Sequence, residues 1–116
     1  MQIAIDDAGS IATVRLSGRL DISGAEVIAM PLATLAGAKR GLVIDLSEVT
    51  TLASIGIRHL ISAAKVVARR GGRLVLLNPN NTVAEILATT GVSDFLHITH
   101  SESEARAAAA PSGKAP

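Results

Sequence analysis

Two short strands joined by a turn are predicted at the start of the chain. Residues 3–6 and 11–18 form two runs of β-favouring side chains, and the turn-forming residues 7–10 separate them. Apolar and polar residues alternate within the second run, so Thr13 and Arg15 share the face opposite the aliphatic side chains. We expect this polar face of the second strand to be open to solvent.

Two continuous apolar runs flank the longest amphipathic segment of the chain. Residues 42–44 and 74–77 are aliphatic throughout, which is typical of strands buried on both faces of a parallel sheet. Between them, residues 54–70 repeat apolar positions with the period of a helix. The face predicted to be buried consists of Ile57, Leu60, Ile61, Ala64, Val67 and Ala68. The opposite stripe, predicted to face solvent, consists of Ser54, Arg58, Ser62, Lys65 and Arg69.

Another helix is predicted directly after the first pair of strands. Ser23 and Glu26 have the spacing of a capping box, and Gly37 is a suitable end for this helix. Pro31 lies within the stretch. Because proline lacks the N–H donor and clashes with the preceding turn, we expect it to kink the helix or to split it in two.

A third helix, a last strand and a final helix complete the pattern. Thr82 and Glu85 have capping-box spacing at the start of the third helix. Residues 95–99 predict a strand. Ser101 is the predicted cap of a final helix that runs through Ala110.

The predicted order of elements is β-β-α-β-α-β-α-β-α. Strands that alternate with helices indicate an α/β fold with a mostly parallel mixed sheet, helical crossovers and one N-terminal antiparallel hairpin. A chain of 116 residues is one domain of ordinary size. We predict a single domain over residues 1–110 and a flexible tail over residues 111–116.

The composition argues against several classes of function. The formal net charge is +1 and Phe95 is the single aromatic residue, so the chain lacks the cationic excess and the stacking side chains with which proteins bind nucleic acid. It has no cysteine for disulfides or thiolate ligands. The first residues show no signal-peptide pattern, and no apolar run is long enough to cross a bilayer. We expect a cytoplasmic protein without membrane insertion.

Side chains that could support catalysis are few and scattered. His59, His97 and His100 do not have the spacing of metal ligands. The sequence also contains no phosphate-binding loop and no nucleophile elbow. We predict no catalytic residue, no metal and no cofactor. A small enzyme or nucleotide-binding protein on this fold stays an alternative, and stabilisation by ATP or GTP in a thermal-shift assay would favour it.

Ser54 stands at the start of the long amphipathic helix, after a segment that follows a buried strand. Two interpretations of this residue are open. Its hydroxyl suits a helix N-cap, which is worth ~0.5–2 kcal/mol. It also suits a phosphoacceptor, because a phosphate there would meet free N–H groups and the positive end of the helix dipole. Physical considerations alone favour the cap.

Four short motifs, in order, resemble those of a known family. They are Gly18-Arg19-Leu20-Asp21, Leu42-Val43-Ile44-Asp45-Leu46-Ser47, Ser54-Ile55-Gly56-Ile57 and Gly72-Arg73-Leu74-Val75-Leu76. In this order and spacing, the chain resembles the STAS domain of anti-sigma factor antagonists over nearly its whole length. The resemblance implies the STAS fold, with the element order given above.

The resemblance also implies a function in bacterial partner switching. An unmodified protein of this family binds an anti-sigma factor, often a serine kinase of the histidine-kinase-like ATPase fold, and so releases the sigma factor. Phosphorylation by that kinase breaks the complex, and a serine phosphatase restores it. The partners implied for this chain are therefore an anti-sigma factor kinase and a serine phosphatase.

By this resemblance, Ser54 is the phosphorylated residue. Family members carry an Asp-Ser-Ser-Gly or Asp-Ser-Thr-Gly motif ahead of the second helix, and the first hydroxyl residue of the motif is phosphorylated. Matched to this chain, that residue is Ser54 and the motif glycine is Gly56. Ala53 replaces the aspartate and Ile55 replaces the second hydroxyl residue. We expect Ala53, Ile55 and Gly56 to contact the partner.

Arg58 and residues 18–22 extend the expected site. The family commonly has glycine where this chain has Arg58, which lies four residues after Ser54 on the same predicted stripe. We hypothesise that Arg58 pairs with a phosphate on Ser54. Since the fold implied by the resemblance places residues 18–22 near the start of the long helix, Asp21 and Ile22 are further expected partner contacts. Asp21 also suits a turn or a helix cap.

A second function is compatible with the same resemblance. Some stand-alone relatives regulate or scaffold membrane transport complexes of the lipid-transporting ATPase type, and others belong to stressosome-like assemblies. Such a protein would use the same helix surface without requiring phosphorylation. Capture of transporter components, rather than of an anti-sigma factor kinase, would distinguish this alternative.

Overall fold

The computed structural model describes residues 1–91 and 96–110. In this part of the chain, strands and helices follow one another in the predicted order, which confirms the α/β fold class. The strands are β1 (Gln2–Ala8), β2 (Ile11–Leu20), β3 (Gly41–Leu52), β4 (Arg73–Leu77) and β5 (His97–Thr99). The helices are α1 (Ile22–Ala38), α2 (Ser54–Arg69), α3 (Asn81–Thr89) and α4 (Glu102–Ala109). Phe95, at the predicted start of the last strand, and the predicted tail over residues 111–116 lie outside the described residues.

The strands form one sheet in the order β1-β2-β3-β4-β5. β1 and β2 are antiparallel, and the short connection between Ala8 and Ile11 contains Gly9 with a φ of 75°. Glycine adopts this left-handed conformation without steric cost, and such a turn matches the twist of a tight hairpin. β2, β3, β4 and β5 run parallel to one another, as predicted, because a helical crossover precedes each of the last three.

Three helices cover one face of the sheet, and α4 covers part of the other. The strand residues of the larger core, beneath α1, α2 and α3, include Leu42, Ile44, Leu74 and Leu76. Those of the smaller core, which packs against α4, are Val43, Val75 and Leu77. Both faces of β3 and β4 are therefore buried in these segments, which confirms the interpretation of their continuous apolar runs.

The polar face of β2 is only partly open, because α4 covers its first half. Thr13 is fully buried, and its hydroxyl accepts a hydrogen bond from the Arg106 guanidinium of α4 at 3.1 Å. Arg15 is exposed and lies 3.7 Å from the Asp45 carboxylate and 3.4 Å from the Glu102 carboxylate. The prediction of a solvent-facing side is therefore wrong at Thr13 and correct at Arg15.

β3 is much longer than the strand predicted over residues 42–44. It continues past Leu46 and Val49 to Leu52, and these three side chains are buried three residues apart rather than two. Two register shifts interrupt its pairing with β2. Irregularities of this kind break the two-residue repeat of a strand, so the strand end predicted from the sequence pattern comes too early.

α1 is a single continuous helix. Pro31 lies inside it without dividing it, so the expected split is wrong. Ile28, before the proline, and Leu32, after it, are both buried. Packing of this shared apolar face against the sheet holds the two halves in one helix, since tertiary packing supplies most of the stability of a helix in a protein. The helix ends at Ala38, one residue past the predicted end at Gly37.

The N-caps of α1 and α3 lie two residues before the capping boxes predicted at Ser23 and Thr82. Asp21 caps α1 by accepting a backbone hydrogen bond at 3.0 Å. The capping role that Asp21 also suited is therefore confirmed, and the one predicted for Ser23 is wrong. Asn80 caps α3 in the same way at 2.8 Å, in place of Thr82. In both helices the capping residue is the last one with an extended backbone, and that conformation is what a cap requires. Ser101 caps α4, as predicted.

The outer face of α2 is confirmed. All the residues of the predicted polar stripe are exposed: Ser54, Arg58, Ser62, Lys65 and Arg69. On the inner face Ile57, Leu60 and Val67 are buried as predicted, but Ala63 is buried and Ala68 is exposed. Ala63 lies three residues after Leu60 and four before Val67, which places it on the same face of a helix.

Candidate functional site

The candidate site lies at the edge of the sheet where β2 and β3 end side by side. Leu20, the last residue of β2, pairs with Leu52, the last residue of β3. The Ala53 N–H then donates a hydrogen bond to the Leu20 carbonyl at 2.9 Å. Because the two strands are parallel and end together, the helices that follow them also begin close together. The structure thus brings residues 18–22 next to the start of α2.

Gly56 allows the first turn of α2 to lie directly against β2. A Cβ added at Gly56 would stand 2.6 Å from Cγ of Leu20, which is closer than side-chain atoms pack. Leu20 is fully buried, and a close-packed interior leaves it little room to move. The glycine of the predicted motif therefore has a packing role beneath the site.

Ser54 is the first residue of α2, and its side chain is exposed. The N-cap is Ala53, whose backbone is extended (φ −97°, ψ 164°) and whose side chain makes no capping hydrogen bond. The interpretation of Ser54 as the cap is therefore wrong, because Ser54 already has helical geometry. Its hydroxyl lies at the N-terminal end of α2, where the helix dipole favours negative charge.

Asp21 has a structural role at the start of α1. One of its carboxylate oxygens accepts a hydrogen bond from the Gly24 N–H at 3.0 Å, and the other lies 3.4 Å from Nε of Arg19. The Gly24 hydrogen bond lowers the pKa of the Asp21 carboxyl below its ordinary value, and the Arg19 guanidinium acts in the same direction. Asp21 is only partly buried, so the site presents an ionised carboxylate beside the two helix starts.

Apolar side chains accompany the exposed hydroxyl. Ile22, the first residue of α1, is 70% exposed. Ala53 and Ile55, on either side of Ser54, are partly buried. Single exposed aliphatic residues are common on protein surfaces, but apolar residues grouped at one place are typical of interaction sites. The arrangement is suited to contact with another protein.

Arg58 is exposed one turn after Ser54, on the outer face of α2. Residues four apart on a helix are neighbours, with about 5–6 Å between their Cβ atoms. Among the ion pairs of the described residues, none involves Arg58. Arg58 and Ser54 are therefore neighbours on the exposed stripe of α2.

Sequence reasoning did not predict the roles of two residues that shape the start of α1. Arg19 pairs with the Asp21 carboxylate, and Gly24 lies so close to β2 that an added Cβ would collide with the Arg19 carbonyl oxygen. The Arg19–Asp21 pair could have been predicted, because the two residues are close in the sequence. The role of Gly24 had no sequence signal, because the atoms that a side chain there would strike belong to the strand that precedes the helix.

The described residues show no candidate metal site. None of their His, Asp and Glu side chains form a group of three or more that could hold a metal ion. His59 lies on α2, and His97 and His100 lie in and just after β5. Within residues 1–91 and 96–110, no helix is both long enough and apolar enough to span a bilayer.

Known proteins with similar sequences and folds agree with this architecture. Residues 2–105 match the family model of the STAS domain. The chain is 29% identical over 86 residues to the anti-sigma-B factor antagonist of Bacillus subtilis (strain 168), a match that covers 74% of this chain and 79% of the relative.

Two solved structures of one protein are similar to this fold. The anti-sigma factor antagonist SpoIIAA in its unphosphorylated form has a TM-score of 0.77 and 22% identity, covering 90% of this chain and 93% of SpoIIAA. The Bacillus cell fate determinant SpoIIAA in its phosphorylated form has a TM-score of 0.71 and 21% identity, covering 91% of this chain and 97% of SpoIIAA. Both likenesses confirm the predicted fold.

Proposed function

The chain belongs to the STAS domain family, and from this membership we propose that it is an anti-sigma factor antagonist, a non-enzymatic protein-binding switch of the bacterial cytoplasm. In its unmodified form it binds an anti-sigma factor that is also a serine kinase of the histidine-kinase-like ATPase fold. That kinase phosphorylates Ser54 and is released, and a serine phosphatase restores binding. The similarity to an anti-sigma-B factor antagonist supports this proposal.

The position of Ser54 is the observation that carries the proposal. Its side chain is exposed at the first residue of α2, and Ala53 rather than Ser54 occupies the N-cap position. A kinase can reach such a hydroxyl without unfolding the helix. A phosphate at that position also gains from the positive end of the helix dipole. The likeness of the fold to SpoIIAA, which has been solved in phosphorylated and unphosphorylated forms, is consistent with this role.

The surface around unphosphorylated Ser54 is suited to a contact with the partner from which water is excluded. In the complex, the Ser54 hydroxyl is covered together with Ile22, Ile55 and part of Ala53. A hydroxyl can be buried when it finds one hydrogen-bond partner, and the aliphatic neighbours gain free energy as they leave water. Gly56 keeps the first turn of α2 against Leu20, so the surface is already formed before the partner arrives.

Phosphorylation changes the charge of this surface without changing the fold. A phosphate adds about −1.5 to −2 charges at neutral pH. Burying that charge in an apolar contact with no partner group costs several kcal/mol, and every ~1.4 kcal/mol changes the affinity tenfold. We propose that Arg58 pairs with the phosphate after release, which favours the free, phosphorylated chain over the complex.

Affinity capture with four baits tests the switch. The baits are the wild-type chain, Ser54→Ala, Ser54→Asp and Ser103→Asp, incubated with lysate of the source organism, and the bound proteins are identified by mass spectrometry. Ser103 is the matched control because it is an exposed serine in the first turn of α4, on the opposite face of the sheet. We expect an anti-sigma factor of the ATPase fold with every bait except Ser54→Asp.

Two outcomes would contradict the proposal. Capture of the same proteins by all four baits would mean that charge at Ser54 does not control binding. Capture of membrane transport components in place of an anti-sigma factor would instead support the alternative regulatory or scaffold function. A further assay completes the test, because the captured kinase should transfer phosphate from ATP to the wild-type chain and not to Ser54→Ala.

A further inference from the structure

The outward face of α1 is apolar along most of its length. Ile22 is 70% exposed, Met30 is 74% exposed and Val27 is 43% exposed. The other exposed residues of this helix are Ser23, Glu26, Ala33, Thr34, Gly37 and Ala38. Glu26 is the one charged residue among them. The solvent-exposed surface of this helix is therefore almost uncharged.

α2 provides an internal comparison, because it packs on the same face of the sheet and contributes to the same core. Its outward stripe includes three cations, Arg58, Lys65 and Arg69. A helix on the surface of a globular protein normally carries charged and polar residues opposite its buried face. α2 follows this rule and α1 does not. The apolar outward face of α1 is the kind of surface that another protein covers.

We propose that the anti-sigma factor partner covers this face, so that its binding surface extends from Ser54 and Ile22 through Val27 to Met30. The identity of the partner rests on the proposed function. Ile22 joins the two areas, because it is the first residue of α1 and follows the strand end that contacts Ala53. Met30 lies eight residues further on, about 12 Å along the helix axis. The surface is therefore continuous.

The size of the face argues for this partner rather than for a second copy of the chain. α1 has 17 residues, so it is ~25 Å long, and a strip ~10 Å wide offers ~250 Å². A stable interface buries ~800 Å² on each side. Pairing of α1 with α1 would fall well short of that area. Joined to the site around Ser54, the same strip becomes one part of a larger contact.

The chemistry of this face indicates which side chains the partner has on the opposing surface. Val27 and Met30 require an apolar surface, and the flexible methionine side chain adapts to its shape. A groove between α1 and α2 borders this face, and its lining includes the small residues Ala29, Ala33 and Ala63. An apolar side chain of the partner fits there. Glu26 takes part in none of the ion pairs of the described residues. We therefore expect the partner to place a cationic side chain next to it.

Photo-crosslinking tests the extent of the surface. p-Benzoylphenylalanine is placed at position 22, 30 or 107 of the purified chain, which is irradiated in lysate of the source organism, and each adduct is identified by mass spectrometry. Position 107 is the control, because Ala107 is exposed on α4. We expect positions 22 and 30 to yield an adduct with the same anti-sigma factor and position 107 to yield none.

Several outcomes would overturn the inference. These are an adduct at position 22 without one at position 30, different proteins at the two positions, an adduct of two copies of this chain at position 30, and no adduct at either position. One protein at both positions that is not an anti-sigma factor would support the continuous surface and contradict the proposed function. The two proposals therefore fail separately.

A second experiment measures the contribution of α1 to affinity. Calorimetric titration compares Met30→Glu, Val27→Glu and Ala107→Glu for binding to the crosslinked partner in purified form. We expect either α1 variant to weaken binding about tenfold or more, because it buries a charge in an apolar contact. Ala107→Glu should bind as the wild type does. Unchanged affinity of both α1 variants, with unchanged unfolding temperatures, would overturn the inference.

Discussion

Gly56 and Leu20 are in direct contact, and the glycine is the residue that permits it. The space that a Cβ would need at Gly56 is already occupied by the Leu20 side chain, at 2.6 Å from Cγ. Leu20 ends β2, and its carbonyl accepts the Ala53 N–H. This contact therefore fixes the first turn of α2 against the strand that leads into α1.

Gly56→Ala is expected to lower the free energy of unfolding by ~1–3 kcal/mol, because an extra methyl group in a packed interior forces neighbouring atoms to shift. Urea denaturation followed by circular dichroism measures this loss. Gly37→Ala is the control, since a Cβ there meets no atom within 4 Å. It should raise stability by ~0.5–1 kcal/mol, because alanine favours a helix over glycine. Equal losses in both variants would contradict the packing explanation.

The lowered pKa of Asp21 predicts a loss of stability in acid. Its folded pKa lies below the ordinary value of 3.8 because the Gly24 N–H stabilises the carboxylate. A group of this kind contributes stability above its unfolded pKa and loses that contribution as the pH falls through its folded pKa. Asp21→Asn keeps an oxygen acceptor for the cap but does not titrate in this range.

Thermal unfolding of the wild type and of Asp21→Asn from about pH 6 to about pH 2.5 checks this prediction. We expect the wild type to be the more stable chain at the upper end of the range and its advantage to shrink as the pH falls. A constant difference between the two curves at all pH values would show that the Asp21 carboxylate gains nothing from folding.

Ala53 leaves the start of α2 without a side-chain cap. Its extended backbone already suits the N-cap position, so Ala53→Asp is expected to raise the free energy of unfolding by ~0.5–2 kcal/mol. Ala53→Asn separates the hydrogen bond from the charge, because it supplies an acceptor alone. Denaturant titration should place the aspartate variant highest and the asparagine variant above the wild type. If neither variant has a higher free energy of unfolding than the wild type, the first turn of α2 does not need a side-chain hydrogen-bond acceptor.

Arg58 is expected to stabilise the chain more strongly once Ser54 is phosphorylated. Phosphoserine can be introduced at position 54 by genetic code expansion, which avoids any need for the kinase. Arg58→Ala should then lower the unfolding temperature of the phosphorylated chain more than that of the unmodified chain, because a charge-assisted pair is lost. Arg69→Ala, about three turns further along the same stripe, should lower both by the same amount. Equal losses on Arg58→Ala would refute the pairing.

The element order could be predicted because its signals are local. The continuous apolar runs at residues 42–44 and 74–77 and the helical period of α2 each lie within one segment, and each is confirmed. The burial of Thr13 could not be predicted from its own strand. It depends on α4, whose Arg106 supplies the hydrogen bond from a position 93 residues away in the sequence.

The details of the site depended on where β3 ends. A strand that ends near residue 44 leaves several residues available as the cap of α2, and Ser54 is then the best capping side chain. β3 instead runs to Leu52, so Ala53 is the only residue between the strand and the helix. The cap is therefore decided by the length of the strand rather than by side-chain preference. The adjacency of residues 18–22 to this point came from the family resemblance and not from the sequence pattern.

The pairing of Leu20 with Leu52 has a consequence for how related chains diverge. It belongs to the sheet backbone, so it holds the two helix starts at one spacing whatever side chains stand at their exposed positions. On the proposed binding surface, an exchange of residues at positions such as 22 and 30 would therefore give paralogues in one cell separate partners. Each would keep its pathway insulated from the others while all retain the same scaffold.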